Sequence, residues 1–170
     1  MMAFFRHWRD RYRARRDLVV RARLAGVRVG RNCRIYDCSF GSEPFLVTLG
    51  DHVTVTAGVQ FVTHDGGVWV FREEFPDVDV FAPIHVGNNV FIGLNSILLP
   101  GARIGDNCVI GAGSVVRGEI PPNSVAAGVP AKVIKSLEAY RAKVLEGAVH
   151  IRSRPLADKR RWLEETFGLK

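Results

Sequence analysis

The chain has 170 residues, of which 47% are apolar and 24% are charged, and its formal net charge at pH 7 is +7. This length and composition predict one globular domain with appendages, and no apolar run is long enough to span a bilayer. Residues 1–31 carry ten arginines against two acidic residues, whereas residues 32–131 carry four arginines against ten acidic residues, and residues 132–170 are basic again. The acidic central region argues against a nucleic-acid-binding face there.

Residues 1–24 are predicted to form an arginine-rich helix, in which Phe5, Trp8 and Tyr12 fall on one face. Three interpretations of that face are open. It covers the end of a repeat structure, it contacts an anionic membrane surface, or it binds nucleic acid. The segment lacks the apolar core and cleavage site of a secretory signal. Three cysteines without metal-ligand spacing indicate a reducing cytoplasm, and membrane contact would place the protein at the inner face of the membrane.

Apolar residues recur at every sixth position from Val86 to Ile120, and a small or β-branched residue follows each of them four places later. A period of six fits neither a helix nor a flat strand, and fixed-period repeats indicate stacked repeats. Glycine, asparagine and aspartate occupy the positions between, where they favour sharp corners. A sandwich of short strands would not keep so strict a register. The predicted inward pairs are Val86/Val90, Ile92/Ser96, Leu98/Ala102, Ile104/Cys108, Ile110/Ser114 and Val116/Ile120, preceded by Val29/Cys33, Ile35/Ser39, Leu49/Val53 and Val55/Val59 and by Phe61.

The six-residue register breaks after Phe61 and resumes at Val86, so that nineteen residues are inserted. In this extended loop, residues 65–85, aromatic residues alternate with acidic ones. Long loops in compact domains are usually functional or disordered, and the aromatic content argues against disorder. His64 stands at the start of the loop.

The repeat is predicted to stop at Pro121, Pro122 and Pro130. A helix is expected from Ser136 to about Glu146, followed by a second helix from Pro155 to near Gly168. The chain is therefore divided into a helix at 1–24, a hexapeptide region at 25–135 and a helical extension at 136–170.

The stretch IGDNCVIGAGSVVRGEIPPNSVAAGVPAKVI, from Ile104 to Ile134, resembles the closing coils of hexapeptide-repeat acyltransferases. The resemblance covers about Val27 to Ser136, and the loop is most similar to that of small polysaccharide and galactoside O-acetyltransferases. It implies a mainly β fold, a left-handed parallel β-helix, assembled as a homotrimer. It also implies acetyl-CoA as the acyl donor and a sugar as the acceptor, with no metal.

His64 is the expected general base, because an imidazole near neutral pH suits proton removal from a sugar hydroxyl. The resemblance places a histidine with this role immediately before the extended loop. Its second nitrogen needs an orienting partner, and Asp65, Glu73, Glu74 and Glu43 are all open candidates. We assign Asp65 and Glu73 to catalysis with His64. Residues expected to contact the acceptor are Glu43, Trp69, Phe71 and Glu74.

The acyl-CoA contacts follow from the resemblance together with the charge pattern. The backbone near Gly93 is expected to stabilise the oxyanion, and the small Ala112 leaves room for a pantetheine arm. Arg117, Lys132 and Lys135 match positions that contact phosphates of coenzyme A, where charge-assisted hydrogen bonds form. This chain has Gly118 where relatives often have lysine, so Arg117 is expected to replace that contact.

Three other functions are weighed against sugar O-acetylation. An amino-sugar N-acetyltransferase is the nearest alternative. A zinc enzyme of the γ-carbonic-anhydrase kind would need three converging histidines, and only His52, His64 and His85 lie in the hexapeptide region. A scaffold without activity would have little use for an aromatic loop behind a histidine.

Overall fold

The computed structural model describes residues 17–169, and within that range fourteen short strands form three sheets. From β3 to β13 successive strands enter the three sheets in rotation, and every strand pairing is parallel except that of the last two strands. The first sheet holds β1 (Arg28–Val29), β3 (Val47–Leu49), β6 (Ile84–Val86), β9 (Arg103–Ile104) and β12 (Glu119–Ile120). The second holds β2 (Arg34–Ile35), β4 (Thr54–Val55), β7 (Val90–Ile92), β10 (Cys108–Ile110), β13 (Ser124–Gly128) and β14 (Ala131–Ser136). The third holds β5 (Gln60–Phe61), β8 (Ile97–Leu98) and β11 (Val115–Val116).

Strand register confirms the predicted insertion. Val86 pairs with Ile104, eighteen positions later, whereas Leu49 pairs with Val86, which is thirty-seven positions later. The extra nineteen residues therefore lie between two adjacent coils, a coil being one set of consecutive strands with one member in each sheet. The residues between β5 and β6 leave the sheets and return to them without disturbing the pairing.

The interior contains the residues that the six-residue repeat places there. All twelve inward residues predicted between Val86 and Ile120 are buried, and so are Leu49, Val53, Val55, Val59 and Phe61. Because each coil alone would expose its apolar side, stacking the coils is what removes this surface from water. The prediction of the core is confirmed for these coils.

The first coil departs from the prediction by one residue. Ser39 is exposed rather than inward, because it forms a bridge with Gln60 and so places Cys38 beside Val59. Cys38 is partly buried against the core, and burial raises the pKa of its thiol to about 11. Phe40, two residues after Cys38, stacks on Phe61 with ring centroids 4.8 Å apart. All three cysteines are free thiols.

One corner of the coils is built from stacked asparagines in the left-handed backbone region. Asn89, Asn107 and Asn123 have φ values of 54°, 57° and 58°, and His52 occupies the same position with a φ of 57°. Asn107 Nδ2 donates to Asn123 Oδ1 at 3.1 Å, Asn89 Nδ2 donates to Asn107 Oδ1 at 2.9 Å, and His52 Nδ1 lies 2.8 Å from Asn89 Oδ1. Asparagine and histidine tolerate this conformation better than most residues. We call these four residues the corner ladder.

Helices occur near both ends of the described range. Helix α1 (Leu18–Leu24) is capped by Asp17 and places Ala22 in the core. The predicted aromatic face of Phe5, Trp8 and Tyr12 lies outside the described residues. Helices α2 (Leu137–Glu146) and α3 (Leu156–Thr166) confirm the two predicted C-terminal helices. The chain divides into two compact units at Glu138 and Ala139. Across residues 17–169, none of the helices has the length and apolar character that crossing a membrane requires.

Candidate active site

His64 lies just after β5, where the chain leaves the third sheet and the extended loop begins. Its Nδ1 is 3.0 Å from Oε2 of Glu43, a residue twenty-one positions earlier. Glu43 immediately precedes a 3-10 helix, Pro44–Leu46, which leads into β3. Glu43 precedes β3 and His64 follows β5, so their contact brings together the two ends of one coil. The His64 side chain is 42% exposed and the Glu43 side chain only 19%.

The Glu43 carboxylate has a second partner. The hydroxyl of Thr63, which is fully buried, donates to the same Oε2 at 2.6 Å. The Thr63 hydrogen bond and then the contact with His64 hold the pKa of Glu43 below its usual range. An ionised carboxylate only accepts hydrogen bonds, so the imidazole must donate from Nδ1. The Nε2 lone pair of His64 is then available to take a proton.

A tight turn brings Glu43 to this position. Gly41 has a φ of +67°, which glycine adopts without strain. A Cβ atom on Gly41 would come within 2.8 Å of the Phe61 carbonyl oxygen. The turn thus lies directly against the end of β5, so that Glu43 reaches both Thr63 and His64.

The extended loop is closed at its base by backbone pairing. His64 and Phe81 form an antiparallel bridge, Asp65 N donates to the Val80 carbonyl at 2.9 Å, and Ala82 N donates to the Thr63 carbonyl at 3.0 Å. The Phe81 ring lies edge-on to the His64 ring with centroids 6.1 Å apart. Phe81 therefore forms one wall beside the imidazole.

The Arg72 side chain connects separate parts of the extended loop. Its Nη1 donates to the Pro76 carbonyl at 3.0 Å, and its Nη2 pairs with Asp79 Oδ1 at 2.5 Å. These contacts tie the end of a 3-10 helix, Gly66–Phe71, to the returning chain. The loop consequently has defined internal structure, as its aromatic content predicts.

The four carboxylates that are candidates for orienting His64 have different environments in the structure. Glu43 contacts the imidazole, whereas Asp65 caps the loop helix by accepting from Gly67 N at 2.9 Å. Glu73 and Glu74 are exposed on the loop. Trp69 and Phe71 are also exposed, Trp69 at 75%, so their rings are presented to solvent.

The residues expected to contact acyl-CoA lie in later coils. The Gly93 amide donates to the Ile110 carbonyl at 2.9 Å, and a Cβ there would come within 2.5 Å of Ala112 N, so the two coils approach closely. Ala112 is exposed between Gly111 and Gly113. Arg117 is exposed after β11, and Lys132 and Lys135 lie on β14.

The sequence assigned no role to Thr63 or Phe81. Thr63 falls two places after Phe61, outside the predicted inward positions, so the six-residue period gave no signal for its burial. Phe81 could not be placed without the pairing at the base of the loop.

The other two histidines of the hexapeptide region have separate environments. His52 belongs to the corner ladder, and His85 lies within β6. Within the part of the chain that the structure describes, no group of three or more His, Cys, Asp or Glu side chains could hold a metal ion.

Comparison with known proteins identifies the family to which this chain belongs. The family model for the bacterial transferase hexapeptide (six repeats) matches residues 83–118. The protein CapG of Staphylococcus aureus is 51% identical over 148 residues, which is 85% of this chain and 86% of that protein. The chain belongs to the hexapeptide-repeat acyltransferase family.

Relatives with named activities are more distant and cover less of the chain. The galactoside O-acetyltransferase of Escherichia coli K12 is 44% identical over 96 residues, which is 56% of this chain and 46% of that protein. A maltose O-acetyltransferase structure from Clostridium difficile 630 is 39% identical with a TM-score of 0.56, covering 65% of this chain and 59% of the other. A galactoside acetyltransferase structure in complex with coenzyme A is 37% identical, also with a TM-score of 0.56, covering 69% and 58%. The chain thus spans about half to three fifths of these three proteins.

Proposed function

We propose that the protein transfers an acetyl group from acetyl-CoA to a hydroxyl of a sugar or surface-polysaccharide precursor. The observation that carries the proposal is the contact between His64 Nδ1 and Glu43 Oε2 at the base of the aromatic loop. It leaves Nε2 of His64 available as a base beside an exposed aromatic surface. The relatives named as galactoside and maltose O-acetyltransferases support the reaction class.

In the proposed reaction, His64 Nε2 takes the proton of the acceptor hydroxyl as its oxygen attacks the thioester carbonyl. The C–S bond then breaks, coenzyme A leaves as its thiol after taking up a proton from the imidazolium, and the acetyl ester remains on the acceptor. Glu43 holds the imidazole and stabilises its positive charge. Such a base contributes about 10²- to 10⁴-fold to the rate.

The loop is the proposed acceptor surface. Trp69 and Phe71 present exposed rings on which the apolar face of a sugar could pack, and Glu73 and Glu74 are near them in sequence as hydrogen-bond acceptors. Asp65 accepts a hydrogen bond from Gly67 N, which favours a role in capping the 3-10 helix of the loop.

The later coils are the proposed acyl-CoA surface. Ala112 leaves space on the outer wall, and a Cβ atom on Gly113 would meet nothing within 4 Å. The side chains of Arg117, Lys132 and Lys135 would supply cations for the phosphates. The structure of a galactoside acetyltransferase in complex with coenzyme A supports coenzyme A as the ligand.

We also propose that the three sheets are the faces of a left-handed parallel β-helix and that the active form is a homotrimer in the cytoplasm. The rotation of consecutive strands among three sheets supports the first statement. Exposed loop aromatics would then pack in part against a neighbouring subunit. Sedimentation of the purified protein measures the assembly directly.

The experiment that tests the function is a thiol-release assay with acetyl-CoA against sugars, amino sugars and nucleotide sugars. We expect acceptor-dependent release of coenzyme A and an O-acetylated product by mass spectrometry. Transfer only to amino groups would redirect the proposal to N-acetylation. If none of the acceptors in the panel causes thiol release, and calorimetry detects no binding of acetyl-CoA, the proposed function is contradicted.

A further inference from the structure

The Thr63 hydroxyl is placed differently from an ordinary buried hydroxyl, because its partner is the residue that contacts the candidate base. It is fully buried and donates to Glu43 Oε2, the same oxygen atom that lies 3.0 Å from His64 Nδ1. One carboxylate oxygen thus receives two hydrogen bonds from consecutive residues of the chain. The hydroxyl bond, at 2.6 Å, is the shorter of the two.

We propose that Thr63 is a positioning residue, which fixes the Glu43 carboxylate so that the His64 proton is kept on Nδ1 and Nε2 remains the base. This inference rests on the proposed function for its catalytic consequence. Its structural part, the dependence of the His64 tautomer on the Thr63 hydroxyl, is independent of the reaction that the protein catalyses.

The geometry around Thr63 gives the hydroxyl little freedom. Its carbonyl accepts from Ala82 N at 3.0 Å, which pins the backbone where the loop closes. On the other side, a Cβ atom on Gly41 would lie 3.5 Å from Thr63 Oγ1, so the turn that carries Glu43 packs against the hydroxyl. Thr63 is therefore fixed, whereas Glu43 is a long side chain on a surface turn. The fixed group orients the flexible one.

Without the hydroxyl, Glu43 would lose the partner that holds Oε2 in place. A glutamate has several rotamers of similar energy, and rotation about its side chain would withdraw Oε2 from His64. An imidazole without a fixed acceptor distributes its proton between the two nitrogens. Molecules with the proton on Nε2 cannot act as the base, so the rate falls with their fraction.

Thr63→Val tests the proposal, because valine keeps the shape of threonine and removes the hydroxyl. Thr63→Ser restores a hydroxyl without the methyl group. The readout is the tautomer of His64, measured by long-range ¹H–¹⁵N correlation at a pH where the ring is neutral, together with kcat and both KM values. Thr56→Val is the matched control, since Thr56 is partly buried and its hydroxyl donates to the Ile92 carbonyl at 2.7 Å, away from His64.

We expect the wild type, Thr63→Ser and Thr56→Val to show the proton on Nδ1, and Thr63→Val to show a mixture of tautomers. The kcat of Thr63→Val should fall several-fold, in proportion to the fraction of molecules whose proton lies on Nε2, while the KM for acetyl-CoA stays unchanged. If Thr63→Val does not fold, Thr63→Ala carries the same comparison.

A Thr63→Val protein that keeps the Nδ1 tautomer and the wild-type kcat would overturn the proposal. Equal losses in Thr63→Val and Thr56→Val would also overturn it, because they would indicate a general effect of losing a buried hydroxyl. A wild type without acetyl transfer, but with a tautomer that depends on Thr63, would contradict the proposed function and leave the positioning role supported.

Discussion

Glu43, Thr63 and His64 show how one carboxylate contact makes the two nitrogens of an imidazole different. The imidazole lies at the edge of the coils, where solvent reaches it, and Glu43 shields only the Nδ1 side. The two nitrogens of one ring are therefore chemically distinct, and only Nε2 is free to take part in proton transfer.

Replacing His64 by alanine removes the proposed base. We expect turnover to fall about 10²- to 10⁴-fold, with acetyl-CoA affinity unchanged because the residues proposed to bind it lie in other coils. Steady-state thiol release and calorimetry measure the two quantities. His85→Ala is the matched control, since His85 pairs within the first sheet with Thr48 and Arg103, and it should retain the wild-type rate. A His64→Ala enzyme with most of its activity would show that another group is the base.

Replacing Glu43 by glutamine removes the charge beside His64. Because the pKa of Glu43 is lowered in the folded protein, its ionised form stabilises the fold at neutral pH, and this stabilisation is lost as pH falls through the lowered pKa. The difference in melting temperature between wild type and Glu43→Gln should be largest at pH 7 and should vanish in strong acid. Thermal unfolding from pH 7 to pH 3 measures it. A difference independent of pH would mean that the charge has no such effect.

At the scale of elements, the extended loop has its own contacts. The two hydrogen bonds of the bridge between His64 and Phe81 close its base, and Arg72 connects its middle to the returning chain. The aromatic rings proposed to bind the acceptor are attached to this framework. The contacts of Arg72 with Pro76 and Asp79 therefore help to hold these rings in place.

Arg72→Ala is expected to raise the KM for the acceptor several-fold while leaving the KM for acetyl-CoA unchanged. The reason is that removing the guanidinium releases Pro76 and Asp79 and lets the loop rings change position. Arg31→Ala serves as the control, because Arg31 pairs with Asp51 at 2.7 Å in a corner of the same unit. Equal changes in both KM values would count against assigning the loop to the acceptor.

Some elements of the structure follow from the sequence pattern and others do not. The six-residue period predicted every inward residue from Val86 to Ile120 because burial follows directly from the repeat. It missed the shift at Ser39, which depends on a bridge to Gln60 that no local pattern encodes. Likewise, four carboxylates were compatible with His64, and only the turn at Gly41 decides that Glu43 reaches it.

At the scale of the whole molecule, the coils are held in register by interactions that repeat from coil to coil. The corner ladder is the clearest example, since its side chains connect four coils through three contacts. Each rung also needs a residue that tolerates a positive φ. The ladder thus combines a backbone requirement with a side-chain requirement.

Two substitutions at Asn107 separate these requirements. Asn107→Ala should lower the free energy of unfolding by about 1–2 kcal/mol for the left-handed backbone, and by about 0.5–1.5 kcal/mol for each lost hydrogen bond. Asn107→Gly keeps the backbone permissive and should lose only the hydrogen-bond part. Urea unfolding of both variants measures the difference. Equal destabilisation would mean that the backbone conformation contributes little.

The hydrogen bond from Ala82 N to the Thr63 carbonyl closes residues 65–81 as a segment of their own before β6 begins. The pairing of Leu49 with Val86 follows directly behind it, so this segment is a cassette separate from the stacking of the coils. Exchanging the cassette for one of another length should therefore alter the proposed acceptor surface and leave the proposed base, its carboxylate and the coils in place.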